Sequence, residues 1–469
     1  MKTLKLVIAV VLPLIILFLP TSVFPIDGLT IIEKRVIAMF VFAALFWVLE
    51  PIPIYATSVL IIVLELIMIS DKGMTLFRDA SDANLGELVN YKQIMGTFAS
   101  PIILLFLGGF FLAMASTKYR LDHNLARVML KPFGKKPTMV MLGLMIITAV
   151  FSMFMSNTAT TAMMLSILAP VLTVFPANDR GKTAFALSIP VAANIGGIGT
   201  PIGTPPNAIA LKYLTGDNTI SFGEWMSFGI PFVIVMLFIG WILLSTFFKP
   251  QTNSIDLTIK GKFIKTPKAI IVYVTFGLTI LLWLTDFIHG MNSYVISMIP
   301  VGVFSAFNII TKEDLKKISW DVLWLVSGGI ALGLALDKSG LALHVVESIP
   351  FGTFSPLVIL VGCSLLTLLM ANFMSHTATA NLLMPIFAAL GVSMESLTGF
   401  GGVTTLILVA AFAASLGMSL PISTPPNALA HSTGLVKTND MAKVGIIMGI
   451  VGVSLSFVLI YILRLVNFI

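Results

Sequence analysis

The chain has 469 residues, 57% hydrophobic and only 10% charged, with a mean hydropathy of +1.03. That leaves too little polar surface for a soluble globule, and many apolar runs approach or exceed the ~20 residues that cross a bilayer as a helix. The net charge of +7 sits in short segments between apolar runs, which points to cytoplasmic loops and away from nucleic acid, and the single Cys363 excludes a disulfide framework or a cysteine metal site.

The fold class expected is an all-α polytopic membrane protein. Met1-Lys2-Thr3 and the apolar run to Pro20 look like a signal peptide, but the run is too long and lacks a small-residue cleavage site, so it reads as the first span. About 11 transmembrane helices are predicted, near 5–24, 31–49, 52–69, 100–116, 182–212, 227–248, 269–288, 291–310, 319–336, 401–433 and 441–466. Segment 70–99, with Asp71, Lys72, Arg78, Asp79, Asp82 and Glu87, is too polar to span and is expected as a loop or short surface helix. Segments 138–175 and 354–394 each hold two apolar arms of about 16 residues around a polar turn, which reach only part-way through a ~30 Å core and read as re-entrant hairpins.

The chain repeats itself. Ser156-Asn157-Thr158-Ala159-Thr160 and Thr204-Pro205-Pro206-Asn207-Ala208 recur as Ser375-His376-Thr377-Ala378-Thr379 and Thr424-Pro425-Pro426-Asn427-Ala428, at offsets of 219 (375 − 156) and 220 (424 − 204) residues. Gly108-Gly109 and Gly328-Gly329 keep the offset of 220 (328 − 108). The domain organisation read from this is an N-terminal helix in 1–30, a first repeat in 31–250, a cytoplasmic linker in 251–268 and a second repeat in 269–469.

Basic residues orient the repeats. Loop 117–137 carries Lys118, Arg120, Arg127, Lys131, Lys135 and Lys136 and is placed in the cytoplasm, as are Lys249, Lys260, Lys262, Lys265 and Lys268, then Lys312, Lys316 and Lys317, then Lys437 and Lys443. The equivalent loop 337–357 keeps only Lys338 beside Asp337 and Glu347 and is placed outside. Equivalent loops on opposite sides make an inverted-topology repeat, with the N-terminus cytoplasmic and the C-terminus extracellular.

Thr-Pro-Pro-Asn cannot continue a helix, because two prolines lack N–H donors and clash with the preceding turn. The runs 194–203 and 414–423 add glycine, serine and proline, so the spans 182–212 and 401–433 are expected to break near their middle. Broken backbone at that depth survives where it is buried in protein or lines a cavity. A single such break reads as a kinked helix, and a single Ser-Asn-Thr as polar glue between helices. Four motifs in register favour a substrate site near the midplane, where free carbonyls hold a cation and free N–H groups an anion. None of the four contains Arg or Lys.

These doubled tips and doubled breaks resemble the divalent anion/sodium symporter family, which includes bacterial and animal di- and tricarboxylate transporters. The resemblance covers nearly the whole chain. It implies a homodimer in the cell membrane, a scaffold domain and a transport domain moving by an elevator mechanism, and C4–C6 substrates such as succinate, malate, fumarate, 2-oxoglutarate and citrate. The family's substrate contacts fall on Asn157, Thr158, Thr204, Pro205, Thr377, Thr424 and Pro425, and its first sodium site on Ser152, Ser156, Asn157 and Gly203. The second half departs from the pattern: His376 replaces the usual Asn, and Ala371 stands where a hydroxyl residue serves a second sodium site near Ser423. Imidazole nitrogen is a poor ligand for a hard cation when neutral and repels it when protonated, and a protonated His376 would face a substrate carboxylate; the alternative is that His376 simply donates a hydrogen bond as the asparagine would. Dicarboxylate exchange is therefore the expected mode; sodium-coupled or proton-coupled transport and another anion such as sulfate are the alternatives. No cofactor is implied beyond sodium.

Other ionisable residues fall in or beside spans. Glu50 and Asp286 are expected at interfaces, and His289 lies beside a span. Glu65, within an apolar run, is a functional suspect whose partner is not legible. His123 and His344 are expected as solvated loop residues, and His431 lies four residues past Asn427. No HExxH, paired intramembrane aspartates or glycine-serine nucleophile motif is present, so an enzyme is not expected.

Overall fold

The computed structural model describes residues 2–78, 84–173, 175–176, 178–255, 262–348 and 354–469; Asp79, Asp82 and Lys260 lie outside them. The principal helices of the first part are α1 (Lys2–Phe18), α2 (Ile31–Leu49), α3 (Ile54–Met68), α4 (Pro101–Lys118), α5 (Leu121–Leu130), α6 (Pro137–Ser152), α7 (Asn157–Leu172), α8 (Gly181–Gly197), α9 (Pro205–Tyr213) and α10 (Phe222–Phe247). The second part continues with α11 (Pro267–Leu284), α12 (Ser293–Ala306), α13 (Trp320–Lys338), α14 (Leu341–Ser348), α15 (Pro356–Phe373), α16 (His376–Ser393), α17 (Gly402–Ser415), α18 (Pro425–Ser432) and α19 (Thr438–Leu465). Each expected span coincides with a helix or with a broken pair. Among the described residues, six helices are long and apolar enough to cross a membrane.

Local chemistry sets the helix starts. Pro101, Pro137, Pro205, Pro267, Pro356 and Pro425 open helices, where the missing N–H has no partner to lose. Thr30 with Glu33 and Ser221 with Glu224 form capping boxes on α2 and α10. Large apolar side chains such as Val274 and Leu281 on α11, Leu369 on α15 and Ile450 on α19 remain exposed, a surface suited to lipid rather than water.

The duplication extends to atomic packing. A Cβ on Gly108 would collide with Ser297 of α12, and one on Gly328 with Ser58 of α3. The absence of side chains lets α4 meet α12 and α13 meet α3 at backbone distance, as small residues do in membrane interfaces. Each hairpin packs on the broken helix of its own half and reaches the other half as well: α7 of the first contacts α18 of the second, and α16 of the second contacts α9 of the first. Between the hairpin and the rest, buried Asp179 accepts from the N–H groups of Gly181, Gln251 and Thr252, tying the loop before α8 to the segment after α10. Burial alone would raise its carboxyl, but these hydrogen bonds hold it below the usual carboxylate value.

Two expectations are corrected. Segments 117–137 and 337–357 are not simple loops, since they contain the amphipathic helices α5 and α14. His123 accordingly sits half-buried on α5, and His344 on α14 has its Nδ1 2.9 Å from Oε1 of buried Glu33. A histidine facing a carboxylate across a helix junction is not a solvated loop residue.

Candidate functional site: four helix starts around one cavity

Each tip motif is a helix start. Ser156 accepts from the Ala159 N–H at 3.1 Å and opens α7, and Ser375 accepts from the Ala378 N–H at 3.2 Å and opens α16. The Thr-Pro-Pro-Asn motifs open α9 and α18 after breaks at 198–204 and 416–424. The asparagine closes each break: Asn207 Nδ2 donates to the carbonyls of Gly197, Ile198 and Thr200, and Asn427 Nδ2 to those of Met418 and Leu420.

The first residues of these four helices, Asn157, Pro205, His376 and Pro425, all line one cavity of about 400 Å³. Thr158, Thr204, Thr377 and Thr424 line it too, with Ser156, Ser375, Gly203 and Ser423. Of the expected site residues, Ser152 and Ala371 lie outside the lining, behind the tips. Among the described lining residues there is no Lys or Arg, and Asp321 is the one acidic group. With no basic side chain, the positive field in the cavity comes from the helix ends: the N–H groups at the starts of α7 and α16, and the dipoles of α9 and α18, whose first two residues are prolines without N–H. Phe106, Phe110, Phe154, Tyr55 and Leu325 supply apolar wall.

The two halves treat a cation differently. In the first, Ser152 Oγ lies 2.6 Å from Asn157 Oδ1 and 2.8 Å from the Ala193 carbonyl, two acceptors that share its one proton. The space where a Gly197 Cβ would stand has the Gly203 carbonyl oxygen at 2.9 Å and the Asn157 amide at 3.0 Å through both Oδ1 and Nδ2. The oxygens here suit a hard monovalent cation, whereas Nδ2, a donor, does not. Ser156 contributes less, since its hydroxyl already caps α7. In the second half the equivalent space beside Gly417 faces the Ala371 methyl and backbone, and His376 Nε2 donates to the Gly417 carbonyl at 2.7 Å. A carbonyl only accepts, so Nε2 carries the proton. Ser423 Oγ donates to the Asn372 carbonyl and accepts from the Leu420 N–H, so its hydroxyl is engaged. These residues do not fit a second sodium ion.

Access is also unequal. Thr158 is exposed, whereas His376 and Thr377 are 8% and 7% exposed. A second concavity shares Phe110, Met155 and Ser156 with the first and leads to Lys118, Asp314 and Lys317. The cavity thus adjoins the end of the molecule that bears those charges.

Two features of the site were not anticipated. Gly197, whose missing side chain leaves room beside the Gly203 carbonyl and the Asn157 amide, lies outside the cavity lining, and its offset of 220 from Gly417 (417 − 197) is the signal that marks it. Asn194 is buried and lines the cavity, and its Nδ2 donates to Thr424 Oγ1 at 3.3 Å and Asn427 Oδ1 at 3.2 Å. Its repeat equivalent is Ala414, so no sequence symmetry marks it. Thr204 makes no capping bond, while the Thr424 hydroxyl accepts from the Asn427 N–H. His431 lies outside the cavity, its Nε2 3.3 Å from Thr438 Oγ1.

A duplicated helical membrane protein with broken helices converging on a central cavity has the architecture of a membrane transport protein. The family model described as the sodium:sulfate symporter transmembrane region matches residues 1–466, and the chain belongs to that family, the divalent anion/sodium symporters, whose members are transporters rather than enzymes. It is 32% identical over 476 residues to the sodium-dependent dicarboxylate transporter SdcS of Staphylococcus saprophyticus, covering 91% of this chain and 85% of that one. It is likewise 32% identical over 459 residues to an uncharacterised transporter of Schizosaccharomyces pombe, covering 94% of this chain and 50% of that one. The crystal structure of the YdaH transporter of Alcanivorax borkumensis shares the fold at a TM-score of 0.54 and 15% identity, over 80% of this chain and 87% of that one.

Proposed function

We propose that the protein exchanges C4–C6 dicarboxylates, such as succinate, malate, fumarate, 2-oxoglutarate or citrate, across the cell membrane. The observation that carries this reading is the convergence of four helix N-termini on a cavity without Lys or Arg. At roughly +0.5 of a charge each, four termini offer about two positive charges, which matches a dianion and leaves it exchangeable. Asn157, Thr158, Thr204 and Pro205 meet one carboxylate, and His376, Thr377, Thr424 and Pro425 the other. The cavity lies in the size range of sites for organic ligands, and a sulfate would leave most of it empty. With the N-terminus cytoplasmic and the C-terminus extracellular, the exposed first tip and the Lys118 end face the cytoplasm, and this is an inward-open state. In a homodimer, a transport body containing both hairpins and both broken helices then moves by an elevator mechanism against a scaffold containing α3, α4, α12 and α13.

A second reading, sodium-coupled symport, is favoured by the oxygens beside Gly197 and by the sodium dependence in the names of the Staphylococcus relatives. Uptake of labelled succinate into proteoliposomes separates the two. Strong uptake only into vesicles preloaded with unlabelled dicarboxylate, indifferent to sodium, supports exchange. Uptake into empty vesicles that requires an inward sodium gradient replaces exchange by symport, and transport of sulfate but of no carboxylate sinks both.

A further inference from the structure

Glu65 lies on α3, away from the cavity, and is completely buried. Neither of its carboxylate oxygens has a hydrogen-bond partner. The cation acting on it through space is Lys212, at the far end of α9, the helix that begins at the Thr204 break. Lys212 forms no ion pair with it here: its Nζ donates to the Ile330 carbonyl on α13 at 2.8 Å. Gly333, one turn along α13, leaves the room for this, since a Cβ there would run into Lys212 Nζ and the Tyr213 hydroxyl. Asp337, further along α13, also acts on Lys212 and is itself 3.5 Å from Lys338 Nζ. Of the other elements on α3, α2 brings Arg35, which donates to the Met68 and Phe77 carbonyls, and the short helix Tyr91–Gly96 brings Lys92, which is exposed. On α4, α16 and α17, which pack on α9, the titratable groups are Lys118 and His376, one at the cytoplasmic end and one at the cavity.

The pair is not part of the duplication. The contact of Ser58 and Ser297 with equivalent glycines sets an offset of 239 between α3 and α12 (297 − 58), which places Phe304 opposite Glu65 in the repeat. Lys212 corresponds to Ser432, at the offset of 220 (432 − 212). An element of the shared architecture would have a counterpart, and this one has none.

A carboxylate sealed from water with neither a donor nor an ion pair is far less stable than the same group carrying a proton. We propose that Glu65 is a proton-binding site, and that Lys212 links its occupancy to the position of α9. With Lys212 held on the Ile330 carbonyl, Glu65 keeps its proton. When α9 shifts along α13 and the lysine ammonium reaches Glu65, an ion pair replaces the proton, which leaves. Proton binding and displacement of α9 then bias each other by the same factor. The displacement rests on the transport reading above, whereas the proton on Glu65 does not.

Infrared spectroscopy of the full-length protein in lipid tests the site without any substrate. A carbonyl band of a protonated carboxyl is expected at neutral pH, lost in Glu65→Gln and retained in Lys212→Met. If Glu65→Gln removes no such band, the site is refuted. Dicarboxylate exchange tests the linkage: its rate should change about fivefold or more between mildly acidic and mildly alkaline medium, and Glu65→Gln should transport with a flat profile. A Glu65→Gln variant with the parent's pH profile refutes the linkage. Failure of all carboxylate transport by the parent protein refutes the transport reading, while the infrared band still decides the proton site.

Discussion

Asn157 and His376 begin equivalent helices but are held by opposite means: Asn157 Oδ1 accepts from Ser152 Oγ, while His376 Nε2 donates to the Gly417 carbonyl. One arrangement gathers oxygens, and the other spends a backbone carbonyl on an imidazole N–H. Because Ala371 holds the position of Ser152, the second half also lacks the hydroxyl that would orient an amide there.

Restoring the first-half chemistry in the second should restore a cation site. In His376→Asn with Ala371→Ser, succinate uptake is expected to gain a sodium stimulation of at least about fivefold over the parent protein, the lower end of ordinary coupling between two ligands. A sodium titration of initial uptake rates checks this. An unchanged titration would mean that the second-half backbone, rather than these two side chains, excludes the ion.

The asparagines of the two breaks should matter structurally before they matter for transport. Asn207 Nδ2 serves the Gly197, Ile198 and Thr200 carbonyls in a fully buried position, so Asn207→Ala is expected to destabilise the protein by about 2 kcal/mol or more. Asn427→Ala strands the Met418 and Leu420 carbonyls and one donor of Asn194, and should act similarly. Unfolding midpoints in detergent read both. A midpoint within error of the parent's would show that water replaces the amide.

The glycine contacts predict a pair of matched defects. Gly108→Ala and Gly328→Ala each force a methyl into a serine of a neighbouring helix and should cost about 1–3 kcal/mol. Gly277 and Gly302 have nothing within 4 Å of a built Cβ, so their alanine variants serve as controls expected to be neutral or slightly stabilising. If all four variants melt alike, the close approach of α4 to α12 and of α13 to α3 is wrong.

At the Lys118 end of the molecule, Asp314 contacts Lys118 Nζ at 2.5 Å and accepts from the Thr311 N–H and hydroxyl. Burial alone would raise its carboxyl, but Lys118 and Thr311 outweigh that and hold it at about 2, against 3.8 for a free aspartate. A lowered carboxyl stabilises the folded state above the unfolded value, and that contribution fades as the pH falls from 3.8 toward about 2. Asp314→Asn should therefore flatten the loss of thermal stability across that acid window and lower stability at neutral pH. Parallel melting curves of variant and parent at every acid pH would sink the assignment.

The spans, the hairpins, the two breaks and the tip motifs were legible in the linear order because each depends on chemistry within a few residues: hydropathy, a serine cap, two prolines that end a helix. Glu65 was legible as an anomaly but Lys212 as its neighbour was not, because they lie on helices brought together only through α13, which packs on both α3 and α9. The same holds for His344 against Glu33, and for Asn194, which bridges the two broken helices without a repeat counterpart to mark it. A repeat in sequence establishes that two halves share a plan. Whether a cation, an imidazole or a proton occupies equivalent positions depends on which side chains from the other half reach them, and long-range packing alone sets that.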